Sequence, residues 1–285
     1  MITARLVGGL GNQMFQYAAS RALALRRGVG LRLDVSNFNT YHLHKYGLHH
    51  LAISAEVTDQ RQLPNAGARV LEHLRHLVGL NTPALYCENG LRFDPAVLAL
   101  PSNTTLDGYW QCERYFADYA DPIRAELFVK TPAIGDNLKY LDLFCSGTSV
   151  SVHIRRGDYV FNTQANSVHG TCDISYYEAA AHYIAARCAE APTFYLFSDD
   201  PDWVRDNFHI PFKRRLVMHN GADRNFEDLR LMSACSHHII ANSSFSWWGA
   251  WLNPSKEKIV VAPQRWFKTL ALDSADLLPA DWVRL

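Results

Sequence analysis

The sequence predicts an α/β chain in two parts, and three observations predict it. From Ser149 onward, short β-branched runs alternate with helical patterns, which calls for a parallel sheet with crossover helices. A strand, a glycine turn and a helix open the chain. At 285 residues, 48% of them hydrophobic, the chain can fill two cores of ordinary size.

The elements follow in order. Thr3 to Val7 reads as a strand and Gly8-Gly9-Leu10-Gly11 as a tight turn. Asn12 to Arg27 reads as a helix with Phe15, Ala18, Ala19, Ala22 and Leu23 at helical spacing, ended by Gly28. Residues 41–100 are weakly patterned, and His42, His44, His49 and His50 lack metal-ligand spacing, so they read as solvated or ligand-facing. Ser149-Val150-Ser151-Val152-His153-Ile154 reads as a buried strand. Ser175-Tyr176-Tyr177-Glu178 is a capping box that opens an alanine-rich helix to Ala191. Strands are expected over 193–197, 215–218, 238–241 and 258–262, with a helix over 225–235.

Twenty-eight basic and twenty-eight acidic residues balance, so no broad field draws the chain to nucleic acid or anionic lipid. No apolar run reaches membrane-spanning length, and Arg5 interrupts any signal peptide. Six cysteines without C-x-x-C spacing read as free thiols of a reducing compartment.

Three motifs carry chemistry. His153-Ile154-Arg155-Arg156-Gly157-Asp158 places two guanidinium groups at a strand's carboxyl end, where ligands of open α/β sheets collect. Arginine pairs bidentately with phosphate, so an anion is expected there. By strand alternation His153 and Arg155 share one face, Ile154 and Arg156 the other. Gly9 and Gly11 let backbone approach a ligand, and Asn12 and Gln13 either bind it or, for Asn12, cap the helix. The glycine spacing is not that of a dinucleotide fingerprint, although Asp34 stands near the second strand's end. Asn242, Ser243, Ser244 and Phe245 open a helix after another strand, a layout suited to phosphate. Trp248 and Trp251 of that helix read as core.

These segments, together with Gly108-Tyr109-Trp110-Gln111-Cys112-Glu113-Arg114-Tyr115-Phe116 and Phe197-Ser198-Asp199-Asp200, resemble the bacterial and animal α-1,2-fucosyltransferases from residue 2 to about residue 267. The resemblance implies a two-domain GT-B-type glycosyltransferase, with an acceptor-side α/β domain over 1–145 and a Rossmann-like, GDP-fucose-binding domain over 146–285. It implies inverting transfer of L-fucose from GDP-β-L-fucose to the 2-hydroxyl of a terminal galactoside, on an oligosaccharide or a lipid-linked glycan. Animal relatives carry a membrane anchor before the catalytic domain; its absence here implies a bacterial enzyme, cytoplasmic or held at the inner face of the plasma membrane. Catalysis falls to Arg155, with His153 and Asp158 as candidate bases. The donor site comprises Gly9, Gly11, Asn12, Gln13, Arg156, Asp199, Asn242, Ser243, Ser244 and Phe245. Asp200-Pro201-Asp202 has a D-x-D spacing used for metals, but proline fits the first helical position, making Asp200 an N-cap and Asp202 a first-turn acid. Asp199 then remains free for guanine or ribose. No metal or other cofactor is expected. A non-catalytic sugar-binding module, a nucleotide-dependent oxidoreductase and a transferase with another donor are the alternatives.

Overall fold

The computed structural model describes residues 1–41, 43–60, 84–269 and 271–285. The chain divides into two compact units, 1–127 with 275–277, and 128–274 with 278–285. The division falls before the expected 145, because helix Asp136–Cys145 packs on the second sheet. Its Phe144 meets Tyr195 edge-on at 4.6 Å, in a cluster with Phe197 and Leu231.

In the first unit, β1 (Ile2–Arg5), β2 (Leu31–Asp34), β3 (Glu56–Thr58), β4 (Ala84–Cys87) and β5 (Thr104–Asp107) form a parallel sheet in the order β3-β2-β1-β5-β4. The first helix spans Leu10–Arg27, two residues earlier than the sequence pattern placed it. Gly9 is its N-cap without a side-chain hydrogen bond, so Asn12 stands inside the first turn and is not the cap. Gly28 ends the helix at φ 64 and donates back to the Ala24 and Leu25 carbonyls. Tyr17 on this helix donates to Glu126 Oε2 at 2.5 Å, and Arg21 grips the same carboxylate bidentately. The short segment 275–277 belongs to this unit through Asp276, which accepts from Phe93 N at 3.0 Å and faces Arg114 at 3.5 Å.

The second unit holds β6 (Ser149–Ile154), β7 (Thr193–Ser198), β8 (Arg214–Val217), β9 (His237–Ile239), β10 (Val260–Ala262) and β11 (Val283–Arg284), all parallel, in the order β11-β10-β9-β6-β7-β8. β6 is buried along its whole length, as a central parallel strand should be. Val150, Val152 and Ile154 pack with Tyr177, Ala181 and Ile184 of helix Ile174–Ala185. That helix is capped at Asp173, so Ser175 lies inside it and closes no capping box. It ends at Ala185 because the chain turns there toward Thr193. Trp247, Trp248 and Trp251 of helix Ser244–Leu252 are all buried, and Trp247 meets Trp282 with ring centres 5.3 Å apart. Among the described residues no helix is long and apolar enough to cross a membrane. The six cysteines carry free thiols.

Candidate active site

The carboxyl end of β6 carries two arginines with separate employment. Arg155 Nη1 pairs with Asp199 Oδ2 at 2.7 Å, and its guanidinium stands 5.1 Å from the Tyr159 ring. Arg156 Nε pairs with Asp200 Oδ2 at 3.1 Å and lies 3.5 Å over the Trp203 ring. Asp200 also caps helix Pro201–Asn207 by accepting from Trp203 N, while Asp202 pairs with Arg205 on the outer face. Asp199 is therefore not free. Its other oxygen accepts from Arg156 N at 2.8 Å, and it sits so close to Gly157 that a Cβ there would come within 2.3 Å of Oδ2. The carboxylate fixes Arg155 without hiding it, since about a quarter of each side chain stays exposed.

His153 shares Arg155's face, with its ring 5.7 Å from Phe245. Burial, aided by the Arg155 charge, lowers its pKa to about 3, and Nδ1 has no hydrogen-bond partner. It is a neutral imidazole at any physiological pH and a poor proton acceptor. Asp158 lies in the short helix Gly157–Phe161. Tyr159 of that helix stacks on His169 at 4.6 Å.

Asn242 ties these segments together. Buried at 3% exposure, its Nδ2 donates to the carbonyls of His169, Gly170 and Trp266 at 3.0, 3.3 and 3.2 Å, and its own carbonyl faces Tyr159 OH. This amide is occupied with the chain itself. Ser243 caps the next helix by accepting from Phe245 N, and Ser244 is that helix's first residue.

In the first unit Gly8 at φ 84 makes the turn before the helix, while Gly9 has ordinary extended backbone and Gly11 lies buried inside the helix. Gln13 is fully buried. Its Nε2 donates to Gly8 O and Lys45 O, and its Oε1 accepts from Gly47 N, so it clamps the 45–47 loop onto the turn. Asn12 Oδ1 accepts from Gln111 Nε2 at 2.9 Å. Asp34 accepts from Ser36 N in a buried turn. His44 packs its imidazole over Gly9, and His42 lies outside the described residues.

The sequence pattern did not single out three polar groups at the carboxyl edges. Glu88 receives the Tyr109 and Trp110 amides, and burial raises its pKa. Gln111 belongs to the same turn. Asp228, bonded by Asn220, is pushed up to about 7 by burial. In sequence each looks like an ordinary loop or helix residue; only the pairing of distant segments marks them.

Acid sensitivity follows from the buried imidazoles. His153 and His238, the latter held by Ser151 and Asn253 and shifted well below its ordinary value by burial, stay neutral when folded. The unfolded chain protonates them near pH 6.5, so their contribution is present above about 6.5 and lost as pH falls below it. Asp228 and Glu88 run the other way, since burial raises their folded pKa values, but they stand against four imidazoles once His219 and His237, also lowered by burial, are counted. Urea midpoints should therefore fall between pH 7.5 and 5. An unchanged or higher midpoint at pH 5 would contradict this balance.

The sequence profile described as Glycosyl transferase family 11 matches residues 92–285. The chain is 36% identical to the alpha-1,2-colitosyltransferase of Escherichia coli, over 100% of this chain and 99% of that one. It is 30% identical to the O-antigen biosynthesis glycosyltransferase WbnK of Escherichia coli, over 98% and 99%. A solved Arabidopsis thaliana FUT1 structure in complex with GDP shares the fold at a TM-score of 0.50 and 9% identity, covering 91% of this chain and 69% of that one. The architecture is thus of the GT-B type, with a parallel α/β sheet in each unit. With an arginine fixed at a strand's carboxyl end and relatives along its whole length, the chain belongs to glycosyl transferase family 11 and is a nucleotide-sugar-dependent glycosyltransferase.

Proposed function

We propose that this enzyme moves L-fucose from GDP-β-L-fucose to the 2-hydroxyl of a terminal galactoside with inversion, forming an α-1,2 linkage. The observation that carries the reading is Arg155, paired with Asp199 at the carboxyl end of β6 with about a quarter of its side chain still exposed. Cleavage of the anomeric C–O bond leaves negative charge on the β-phosphate, and a preorganised guanidinium lowers that barrier without reorganising. Ser243 and Ser244 assist from the second unit, which serves the sugar nucleotide, while the first unit serves the acceptor. Gln13 and Asn242 act through the chain, because their amide nitrogens are engaged within it, and Arg156 is held to Asp200 through Nε.

The acceptor proton needs a destination. With its pKa near 3, His153 does not take it at neutral pH. A dissociative transition state, in which the sugar is largely cationic before the hydroxyl attacks, lets the proton leave late, to solvent, without a dedicated base. An O-antigen glycan is the favoured acceptor, since the WbnK relative is an O-antigen biosynthesis glycosyltransferase.

The 36% identical colitosyltransferase favours a second reading. Colitose is fucose without its 3-hydroxyl, so the two donors differ by one hydrogen-bonding group. Side-by-side turnover of GDP-fucose and its 3-deoxy counterpart on a panel of β-galactosides, read by mass spectrometry, tests both. No product from GDP-fucose would sink the first reading.

Turnover is expected to survive excess EDTA. The argument is that Asp200 is spent on Arg156 and the helix cap, Asp202 on Arg205, and Arg155 supplies counter-charge. Loss of turnover on chelation with recovery on manganese would overturn it.

A further inference from the structure

Arg155 is met by an acid and by a ring, and the ring is itself held. β6 ends at Ile154, and the chain winds at once into the short helix Gly157–Phe161, with Val160 N donating to Arg156 O at 2.9 Å. Residues four apart share one face of such a turn. Arg155 and Tyr159 are so spaced, and the guanidinium carbon lies over the Tyr159 ring at 5.1 Å from its centre.

Tyr159 is fixed from several directions within the second unit. Its ring stacks on His169, 4.6 Å between centres and 1° between planes, and His169 in turn meets Phe267 at 5.5 Å. The Tyr159 hydroxyl donates to Asn242 O at 3.4 Å, and the Tyr159 carbonyl accepts from Asn166 Nδ2 at 2.6 Å. Asn242 Nδ2 also donates to the His169 carbonyl at 3.0 Å, so both members of the stack are tied to one buried residue. The ring is therefore a steady surface. A guanidinium is drawn flat or edgewise to an aromatic face, and its pairing with phosphate depends on the direction of its plane. The Asp199 ion pair sets where one nitrogen stands; the Tyr159 ring sets the tilt of the plane about it.

We propose that Tyr159 is a positioning residue of the transfer site, whose ring, backed by His169, holds the Arg155 plane in the orientation that stabilises charge on the leaving diphosphate. The proposal rests on the reading that Arg155 acts on that diphosphate.

Steady-state kinetics with GDP-fucose and a β-galactoside, GDP binding by titration calorimetry and thermal melts test it on Tyr159→Leu, Tyr159→Phe, Arg155→Lys and the double variant Arg155→Lys/Tyr159→Leu. Tyr159→Leu keeps apolar bulk but has no π face, and it should lower kcat about tenfold, the scale of one partly desolvated cation–π contact, with GDP affinity changed by less than about twofold. Tyr159→Phe restores the ring and should recover most of that loss. In the Arg155→Lys background Tyr159→Leu should cost nothing further, because an ammonium has no plane to tilt. If Arg155→Lys turns over normally, the role given to Arg155 is wrong and the proposal falls with it. If Arg155→Lys is impaired but Tyr159→Leu keeps the native kcat, or the two losses multiply, Arg155 stands and the positioning role is overturned. A Tyr159→Leu loss that Tyr159→Phe does not recover, or that falls on GDP affinity as heavily as on kcat, overturns it too. Should Tyr159→Leu fail to melt cooperatively, His169→Leu decides: a fall in kcat of about threefold or more, the scale of one lost aromatic stack, at unchanged GDP affinity supports the proposal, and any other result refutes it.

Discussion

Replacing Arg155 with lysine is expected to lower kcat by roughly 10²-fold or more, the scale seen when a preorganised donor at developing charge is removed. Lysine keeps the charge and loses the planar fork, so it cannot hold Asp199 and a phosphate oxygen together in fixed geometry. GDP affinity should fall less than kcat, since the group acts most as charge builds on the leaving phosphate. The same exchange at Arg156 should do something else. Its Nε holds Asp200 at 3.1 Å and its guanidinium lies 3.5 Å over the Trp203 ring, so Arg156→Lys gives up about 1 kcal/mol of stability with kcat nearly unchanged. Kinetics and melts on both variants check the contrast. Equal kinetic losses, or a greater one at Arg156, would reverse the assignment.

Asn242→Asp should be the most destabilising single-atom change in the second unit. One amide nitrogen serves three carbonyls from two loops, at 3.3 Å or less, in a site 3% exposed. A carboxylate offers only acceptors to those carbonyls and brings an unpaired buried charge, a cost of about 3 kcal/mol or more. Asn242→Ala leaves the carbonyls unmet without adding charge, and about 2 kcal/mol is expected. Urea unfolding at pH 7 should therefore rank native above alanine above aspartate. If alanine is the weaker of the two, the nitrogen is not the group that matters.

What the sequence made legible, and what it hid, divides along the range of the interactions. Ser149–Ile154 was readable to the residue because Val150, Val152 and Ile154 make a β-branched run between Gly147 and Gly157. The cap at Asp200 was readable because proline at the next position has few other uses. The start of the first helix was missed because Gly9 caps it with backbone alone, leaving no side chain as a signal. Gln13 and Asn242 were read as ligand-binding amides, yet the same donors and acceptors serve the chain's own carbonyls. Composition cannot tell those uses apart. Asp199 was read as free because its claim by Arg155 depends on two strands lying side by side. Gln111 and Asn12 meet only after β1 and β5 have paired.

The route of residues 275–285 bears on how the protein is made. Asp276 supplies a carboxylate to Phe93 and Arg114 in the first unit, while β11 closes the edge of the second unit's sheet by pairing with β10. A ribosome delivers these residues after the rest of both units. The first unit's sheet can assemble while the rest is still being synthesised, but its Arg114 then lacks its acidic partner. β10 meanwhile presents an open, wholly buried-type strand edge, the kind of surface on which nascent chains associate wrongly. Both deficits end together when residues 275–285 emerge. Stalled or truncated products lacking that segment would expose the β10 edge, and quality control would meet them as aggregation-prone chains with otherwise native cores.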